Sequence, residues 1–423
     1  MSSANIKVSC KKKSLSGTIT LTGSKSECNR ALVIEALSDQ KVKVSNLSEA
    51  ADTVTLAGIL RQENAALTNA TAPQEVNIGP AGTAMRFLTA FFTMQEGEVI
   101  LTGTQRMKQR PIGILVDALR SLGAAIDYVE NDGFPPILIK GKFDQKSAVV
   151  SIKGDISSQY ITALLLIAPK LPLGLQLNIE GELTSRPYVE MTLAMLKQAG
   201  IKYEWHGQTI HIPNQGFNEA LLYVEPDWSA ASYWYSIAAL ADEAELFLPG
   251  LTSYSLQGDS AIGEIMANFG ITSQFKDGGV LIKKEPKALV RKHFDFKPCP
   301  DLAQTVIVCC AALGHEATFT GLETLKIKET DRIKALQDEL APMGVQLIEQ
   351  DETYTLDCSN RFIPEKMFIH TYDDHRMAMA FAPLALVIPE LEIEDHLVVE
   401  KSYPGFWKDL QHIGFDLTIK TNG

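Results

Sequence analysis

Hydrophobic positions along this chain fall into two alternating patterns. The first is an amphipathic helix that ends at glycine and runs directly into a short β-rich segment. It recurs in LVDALRSLGAAIDYV, MTLAMLKQAGIKYEW, IGEIMANFGITSQF, IKALQDELAPMGVQLIE and FWKDLQHIGFDLTI, whose glycines are Gly123, Gly200, Gly270, Gly344 and Gly414, in steps of 77, 70, 74 and 70 residues. Glycine suits a left-handed helix terminus because it carries no Cβ to clash. A sixth copy, TLAGILRQENAALT, puts Asn64 at the matching point, and asparagine is the next best residue for that conformation. The second pattern is a nearly continuous apolar run entered through a polar joint, as in YITALLLIA, SAASYWYSIAALA, TVIVCCAALG and MAMAFAPLALVIP. Each predicts a buried helix.

Six units of about seventy residues account for the 423-residue chain. The period is too long for a solenoid of single hairpins, so each unit is predicted to be a small α/β subdomain, and the six to close as two groups of three. Length leads to the same division, because 423 residues exceed what one core usually organises. The boundary is expected at VEPDWSAAS, residues 224–232, where a proline and a capping Asp227 or Ser229 precede a new helix. The first strand, SGTITLTGSKS, is free to return to either half.

With 45% hydrophobic and 21% charged residues the composition is that of a globular protein, which excludes disorder, collagen and coiled coil. A net charge of -12 and a pI near 5.3 argue against nucleic acid or an anionic membrane as partner. Anionic ligands then have to be met by basic residues gathered in a cleft. The run from Met377 to Pro389 is well short of the roughly 20 residues of a membrane span. The N-terminal stretch lacks the apolar core of a secretory signal, and six cysteines without a C-x-x-C pair suit a reducing compartment, so a cytoplasmic protein is expected.

The candidate chemistry sits at the joints. In GSKSECNR, Lys25, Ser26 and Arg30 cluster at a helix start, where free backbone N–H groups and the helix dipole favour anions. In NIGPAGTAMRF, Gly82 lets a ligand approach the main chain and Thr83 is placed to cap the helix. Arg110, before Pro111, is pushed out of the helical region and offers its planar fork to carboxylate or phosphate; SRPY repeats that arrangement with Ser185 and Arg186. Ser157, Ser158 and Gln159 supply hydroxyl and amide donors ahead of another apolar helix. Asp301 opens the helix of TVIVCCAALG, Lys328, Glu329 and Arg332 lie in IKETDR, His375 and Arg376 in DDHR, and Lys401 precedes the last helix. Asp373, Asp374 and His375 are contiguous rather than at helical ligand spacing, so no metal is expected. Each motif alone is equally the capped, solvated start of a helix. Together they repeat one design, and convergent starts would give a cleft for substrates of several negative charges.

These segments closely resemble the family of 3-phosphoshikimate 1-carboxyvinyltransferases, the enolpyruvylshikimate phosphate synthases. GSKSECNR, AGTAMR, QRPIG, SSQYITALL, IKETDR and DDHRMAMAF occur in the family's order and spacing, over essentially the full length. The resemblance implies an α/β enolpyruvyl transferase-like fold in which each domain holds three βαβαββ-type subdomains, helices inside and sheets outside. Residues 1–21 with 229–423 would form the C-terminal domain and 22–228 the N-terminal one, with the active site in the cleft between them. It implies that Lys25, Ser26, Arg30, Ser157, Ser158, Gln159, Ser185, Asp301 and Lys328 contact shikimate 3-phosphate. Lys25, Gly82, Arg110, Gln159, Arg332, Arg376 and Lys401 match the phosphoenolpyruvate site, and Asp301, Glu329 and Lys25 the catalytic positions. The implied protein is a metal-free, cofactor-free cytoplasmic monomer that binds neither nucleic acid nor membrane. Pro80 replaces an asparagine common in the glycine-rich turn, and Thr324 another before K-E-T-D-R, while the unsubstituted Gly82 resembles a glyphosate-sensitive site.

Two alternatives frame that reading. A sister enzyme transfers enolpyruvyl to a UDP-amino sugar, but its characteristic cysteine is not evident near Arg110. A non-catalytic anion-binding scaffold would gain nothing from acids placed beside its arginines.

Overall fold

The computed structural model describes residues 4–62, 72–141, 143–155 and 157–420; Asn64 of the sixth copy lies outside them. The chain forms two compact units, Gly23–Val224 and Met1–Thr22 with Glu225–Gly423. No helix among the described residues is long and apolar enough to cross a membrane.

Five four-stranded sheets among the described residues share one plan. Each has a parallel pair of strands followed by a helix and two antiparallel strands. In three of them a helix joins the parallel pair and the antiparallel strands form a hairpin whose last strand returns beside the second. Ser14–Thr18 and Glu243–Pro249, by contrast, are separated by the whole Gly23–Val224 unit, and the C-terminal sheet takes one antiparallel strand from the chain's start. In the Gly23–Val224 unit the parallel pairs are Gln74–Asn77 with Glu98–Thr102, and Val149–Lys153 with Leu175–Glu180. A third, two-stranded sheet pairs Val42–Ser45 with Ala220–Tyr223. In the other unit they are Ser14–Thr18 with Glu243–Pro249, His293–Asp295 with Ala317–Thr320, and Lys366–Ile369 with Glu390–Ile393. The last of these sheets is completed by the chain's first strand, Asn5–Ser9, which lies antiparallel between Glu390–Ile393 and Asp416–Lys420, with Val8 opposite both Leu391 and Leu417.

The two sequence patterns become two kinds of helix. The apolar runs form the helices inside each plan, as in Ser158–Ile167, Trp228–Leu240 and Ala303–Leu313, where almost every side chain is buried. Thr305, Val306, Ile307 and Val308 favour strand by propensity, but enclosure on all sides leaves helix as the conformation that satisfies the backbone internally. The Met377–Pro389 run was expected as one helix. It is α-helical only over His375–Phe381 and tightens to a 3-10 turn over Ala382–Leu386, because Pro383 has no amide for the i→i−4 ladder.

The amphipathic helices end as expected at residues with positive φ: 117° at Gly123, 88° at Gly200, 78° at Gly270, 69° at Gly344 and 112° at Gly414. Asp227 caps the Trp228–Leu240 helix, its side chain accepting from the Ala230 amide, while Ser229 is left for other contacts.

Candidate active site

In the Gly23–Val224 unit, Ser24 caps the helix Lys25–Leu37, so Lys25 and Ser26 occupy its first turn. Lys25 Nζ lies 3.5 Å from the Asp52 carboxylate. Arg30, one turn on, is buried and engaged within the unit. Its Nε donates to Thr192 Oγ1 at 2.8 Å, Nη1 to the Ser26 carbonyl at 2.7 Å, and Nη2 to Thr162 Oγ1 and the Tyr188 carbonyl, both at 3.3 Å. The guanidinium lies over the Phe87 and Tyr188 rings, and burial pushes it down to about 10, with Tyr188 and Glu27 opposing. Arg30 therefore fixes the Ser26 turn, with few donors left to offer a ligand.

Thr83 does not cap its helix. The helix Gly82–Thr93 begins one residue earlier, with Ala81 as an uncapped N-cap, and Thr83 Oγ1 instead accepts from Gln159 Nε2 at 3.2 Å. Ser157 uses its hydroxyl to cap the Ser158–Ile167 helix, accepting from the Gln159 amide at 3.3 Å. The Arg110 guanidinium packs directly over Gly82, where a Cβ would stand 2.6 Å from Nη1. The Arg110–Pro111 turn is held by the Pro111 carbonyl, which accepts from Tyr160 Oη at 2.6 Å and Arg86 Nη2 at 3.2 Å, while Arg86 Nη1 donates to the Gly82 carbonyl at 3.0 Å. Arg86 and Tyr160 were not singled out by sequence. An arginine inside the apolar stretch AMRFLTAFF was the available signal.

Ser185 holds a left-handed φ of 54° ahead of the helix Arg186–Gln198. The parallel with Arg110 fails at Arg186, which is the first residue of that helix rather than an extended one. Its side chain is exposed, pairs with Glu190 at 2.8 Å and covers the Trp205 ring at 4.4 Å. Pro187 needs no amide donor at a helix start, which lets the helix begin so early.

In the other unit one buried guanidinium gathers three carboxylates. Arg332 donates from Nη1 to Asp301 at 3.1 Å, from Nη2 to Glu329 at 2.9 Å, and from Nε to Asp374 at 2.7 Å. Asp374 also caps the His375–Phe381 helix by accepting from the Arg376 amide at 2.9 Å. Arg376 returns across the cluster, its Nη2 3.0 Å from the other Asp301 oxygen and its Nη1 3.3 Å from Tyr233 Oη. Lys328 Nζ approaches Asp301 at 3.8 Å and Lys401 Nζ approaches Glu329 at 3.3 Å. Thr324 lies just before, in the 3-10 turn Glu323–Ile327. Asp301 is no cap: it sits in the turn Pro300–Leu302 without a side-chain bond to the helix amides, and its oxygens face the cations.

Burial works to raise the Asp301 carboxyl, but Arg376, Lys328 and Arg332 outweigh it and the repulsion of Glu329, holding it well below the usual carboxylate range. Burial lowers the Lys328 ammonium, Asp301 pulls it back up, and Arg332 adds to the lowering. Arg332 is raised despite its burial because Asp374, Glu329 and Asp301 surround it. The cluster thus sets three carboxylates against Lys328, Arg332, Arg376 and Lys401, four cations within reach of one another that suit anions. Among the described residues no group of three or more His, Cys, Asp or Glu is arranged to hold a metal ion.

The fold is that of the two-domain α/β enolpyruvyl transferases. An EPSP synthase from Acinetobacter baumannii superposes with a TM-score of 0.78 at 20% identity, covering 99% of this chain and 100% of that one. The enolpyruvyl transferase NikO from Streptomyces tendae gives 0.74 at 15%, covering 100% of both chains. Sequence narrows the class: the model of the family EPSP synthase (3-phosphoshikimate 1-carboxyvinyltransferase) matches residues 10–410. The 3-phosphoshikimate 1-carboxyvinyltransferase of Bacteroides fragilis is 45% identical over 407 residues, spanning 96% of this chain and 97% of the relative, and that of Colwellia psychrerythraea is 34% identical over 94% and 97%. The chain belongs to the EPSP synthase family, whose members are enolpyruvyl-transferring enzymes of the shikimate pathway.

Proposed function

We propose that this enzyme transfers the enolpyruvyl group of phosphoenolpyruvate to the 5-hydroxyl of shikimate 3-phosphate and releases phosphate. The observation that carries the reading is the placement of Asp301 and Glu329 on separate nitrogens of Arg332, at 3.1 and 2.9 Å, with a cation beyond each. Two carboxylates held apart in a cationic setting are what an addition followed by an elimination requires.

In the addition, the 5-hydroxyl oxygen bonds to carbon two of phosphoenolpyruvate. Asp301 takes the hydroxyl proton while Glu329 in its acid form, assisted by Lys25, delivers a proton to carbon three. In the elimination the roles reverse: Glu329 takes a proton back from carbon three, the double bond reforms, the carbon–oxygen bond to phosphate breaks with its electron pair leaving on phosphate, and Asp301 gives its proton to the departing phosphate. Lys328, Arg332 and Arg376 hold Asp301 ionised before substrates arrive. Substrate carboxylate and phosphate then offset those cations, which restores basicity to Asp301 when the hydroxyl is in place. Gly82, Arg110, Gln159, Arg332, Arg376, Lys25 and Lys401 are assigned to phosphoenolpyruvate, and the planar guanidinium forks suit its carboxylate and phosphate. Ser26, Ser157, Ser158, Gln159, Ser185, Lys25, Lys328 and Asp301 are assigned to shikimate 3-phosphate. Arg30 is assigned to shikimate 3-phosphate as well, through the Nη1 hydrogen not given to the Ser26 carbonyl. The reading needs no cofactor or metal.

A phosphate-release assay with phosphoenolpyruvate and each acceptor tests it. Release with shikimate 3-phosphate, absent with a UDP-amino sugar and insensitive to chelator, is the expected result. Binding of both substrates without release would make the protein an anion-binding scaffold.

A further inference from the structure

The start of the Trp228–Leu240 helix has no substrate role in the reading above, yet its joint is tied by several side-chain hydrogen bonds. The buried Glu225 carboxylate accepts from Trp228 Nε1 at 3.0 Å and from the Thr252 amide at 2.8 Å. Gln257 accepts from the Trp228 amide and donates to the Pro226 carbonyl, both at 2.8 Å. These bonds pin residues 252–257 against the helix start and deliver Asp259, which is 2% exposed. The Ser229 hydroxyl donates to Asp259 Oδ2, and its oxygen accepts from Arg376 Nη2 at 3.4 Å, the nitrogen that also meets Asp301 at 3.0 Å. An ionised carboxylate only accepts, so it fixes the direction of the hydroxyl proton and leaves a Ser229 lone pair for the guanidinium.

We propose that Asp259, acting through Ser229, is a positioning residue that holds the Arg376 guanidinium in the orientation that receives phosphoenolpyruvate. The inference rests on the assignment of Arg376 to that substrate. An incoming anion competes with Asp301 for Arg376, and a guanidinium tied only to Asp301 would be free to swing with it. Ser229 on one terminal nitrogen and Tyr233 on the other keep the plane of the fork fixed while the anion exchanges. Asp259 is placed at a cost to stability, since burial and the nearby Asp301 both oppose its charge. Its contribution is therefore to geometry.

Steady-state kinetics of Asp259→Ala, Asp259→Asn, Ser229→Ala and Arg376→Ala test this, with thermal unfolding to confirm folding. Asp259→Ala and Ser229→Ala should each raise KM for phosphoenolpyruvate about tenfold, as expected for one hydrogen bond to a charged group, and leave KM for shikimate 3-phosphate within about twofold. Asp259→Asn, which keeps an acceptor oxygen, should recover most of the loss. On an Arg376→Ala background, Asp259→Ala should add nothing further. Equal rises in both KM values, or full additivity with Arg376→Ala, would overturn the positioning role. So would an Arg376→Ala effect unaccompanied by one from Asp259 or Ser229. Should Asp259→Ala fail to fold, Ser229→Ala makes the same cut without touching the carboxylate. An unchanged phosphoenolpyruvate KM in Arg376→Ala would instead bring down the substrate assignment itself, and this inference with it.

Discussion

Gly82 leaves the space above its Cα to Arg110: a Cβ there would stand 2.6 Å from Nη1 and 3.0 Å from both Cζ and Nη2. A methyl group at this position cannot coexist with the guanidinium where it now lies. Gly82→Ala should shift Arg110 and raise KM for phosphoenolpyruvate by roughly tenfold or more, on the scale of one charge-assisted contact. The shikimate 3-phosphate KM should stay within about twofold. Alanine is the better helix former, so the melting temperature should not fall, and a kinetic change without a stability change is the signature to look for.

Gly123 offers the opposite case. It closes the Gly113–Leu122 helix at φ 117°, and a Cβ there would meet the Asp144 carbonyl oxygen at 2.2 Å. Gly123→Ala should destabilise the unit by more than the ~1 kcal/mol that separates glycine from alanine in ordinary positions, read as a lower denaturation midpoint. Turnover per folded molecule should be unchanged, since no substrate role is assigned near Gly123.

Much of this architecture is legible in the sequence because its signals are local. A left-handed helix terminus selects glycine, so Gly123, Gly200, Gly270, Gly344 and Gly414 mark the repeat directly. A helix enclosed on all sides writes itself as an apolar run, as in Ala303–Leu313. What was not legible depends on partners far along the chain. Thr83 reads as a cap, and becomes an acceptor for Gln159 because its helix starts one residue sooner. Arg110 and Arg186 both precede proline, and only packing shows that one is buried over Gly82 while the other covers Trp205 at the surface. The convergence of Asp301, Glu329 and Asp374 on Arg332 joins three segments that no periodicity links. The Glu225–Gln257 clamp is hidden for the same reason.

Asp301 and Asp259 are shifted in opposite directions, and stability should register both. The Asp301 carboxyl is held low when folded, so its ionised form contributes stability above the unfolded pKa of ~3.9, and that contribution is lost as pH falls below it. Asp301→Asn should therefore destabilise strongly at pH 7 and progressively less below about pH 4.

Asp259 is pushed up to about 6 by burial, then by Asp301, with Arg376 and Ser229 opposing and Asp227 adding to the rise; the Cys299 thiol also faces it. A raised folded pKa gives stability that is full below the unfolded pKa and lost as pH climbs through about 6. Asp259→Asn should accordingly change the melting temperature more favourably at pH 8 than at pH 5. A difference of the opposite sign between the two pH values would contradict the assignment.

The central claim is that Asp301 and Glu329 move the protons of the two half-reactions, and turnover of Asp301→Ala and Glu329→Gln with saturating phosphoenolpyruvate and shikimate 3-phosphate tests it most directly. General acid and base contributions are typically about a hundredfold or more, so both variants should lose at least that much in kcat per folded molecule. Loss of less than about tenfold in both would contradict the account.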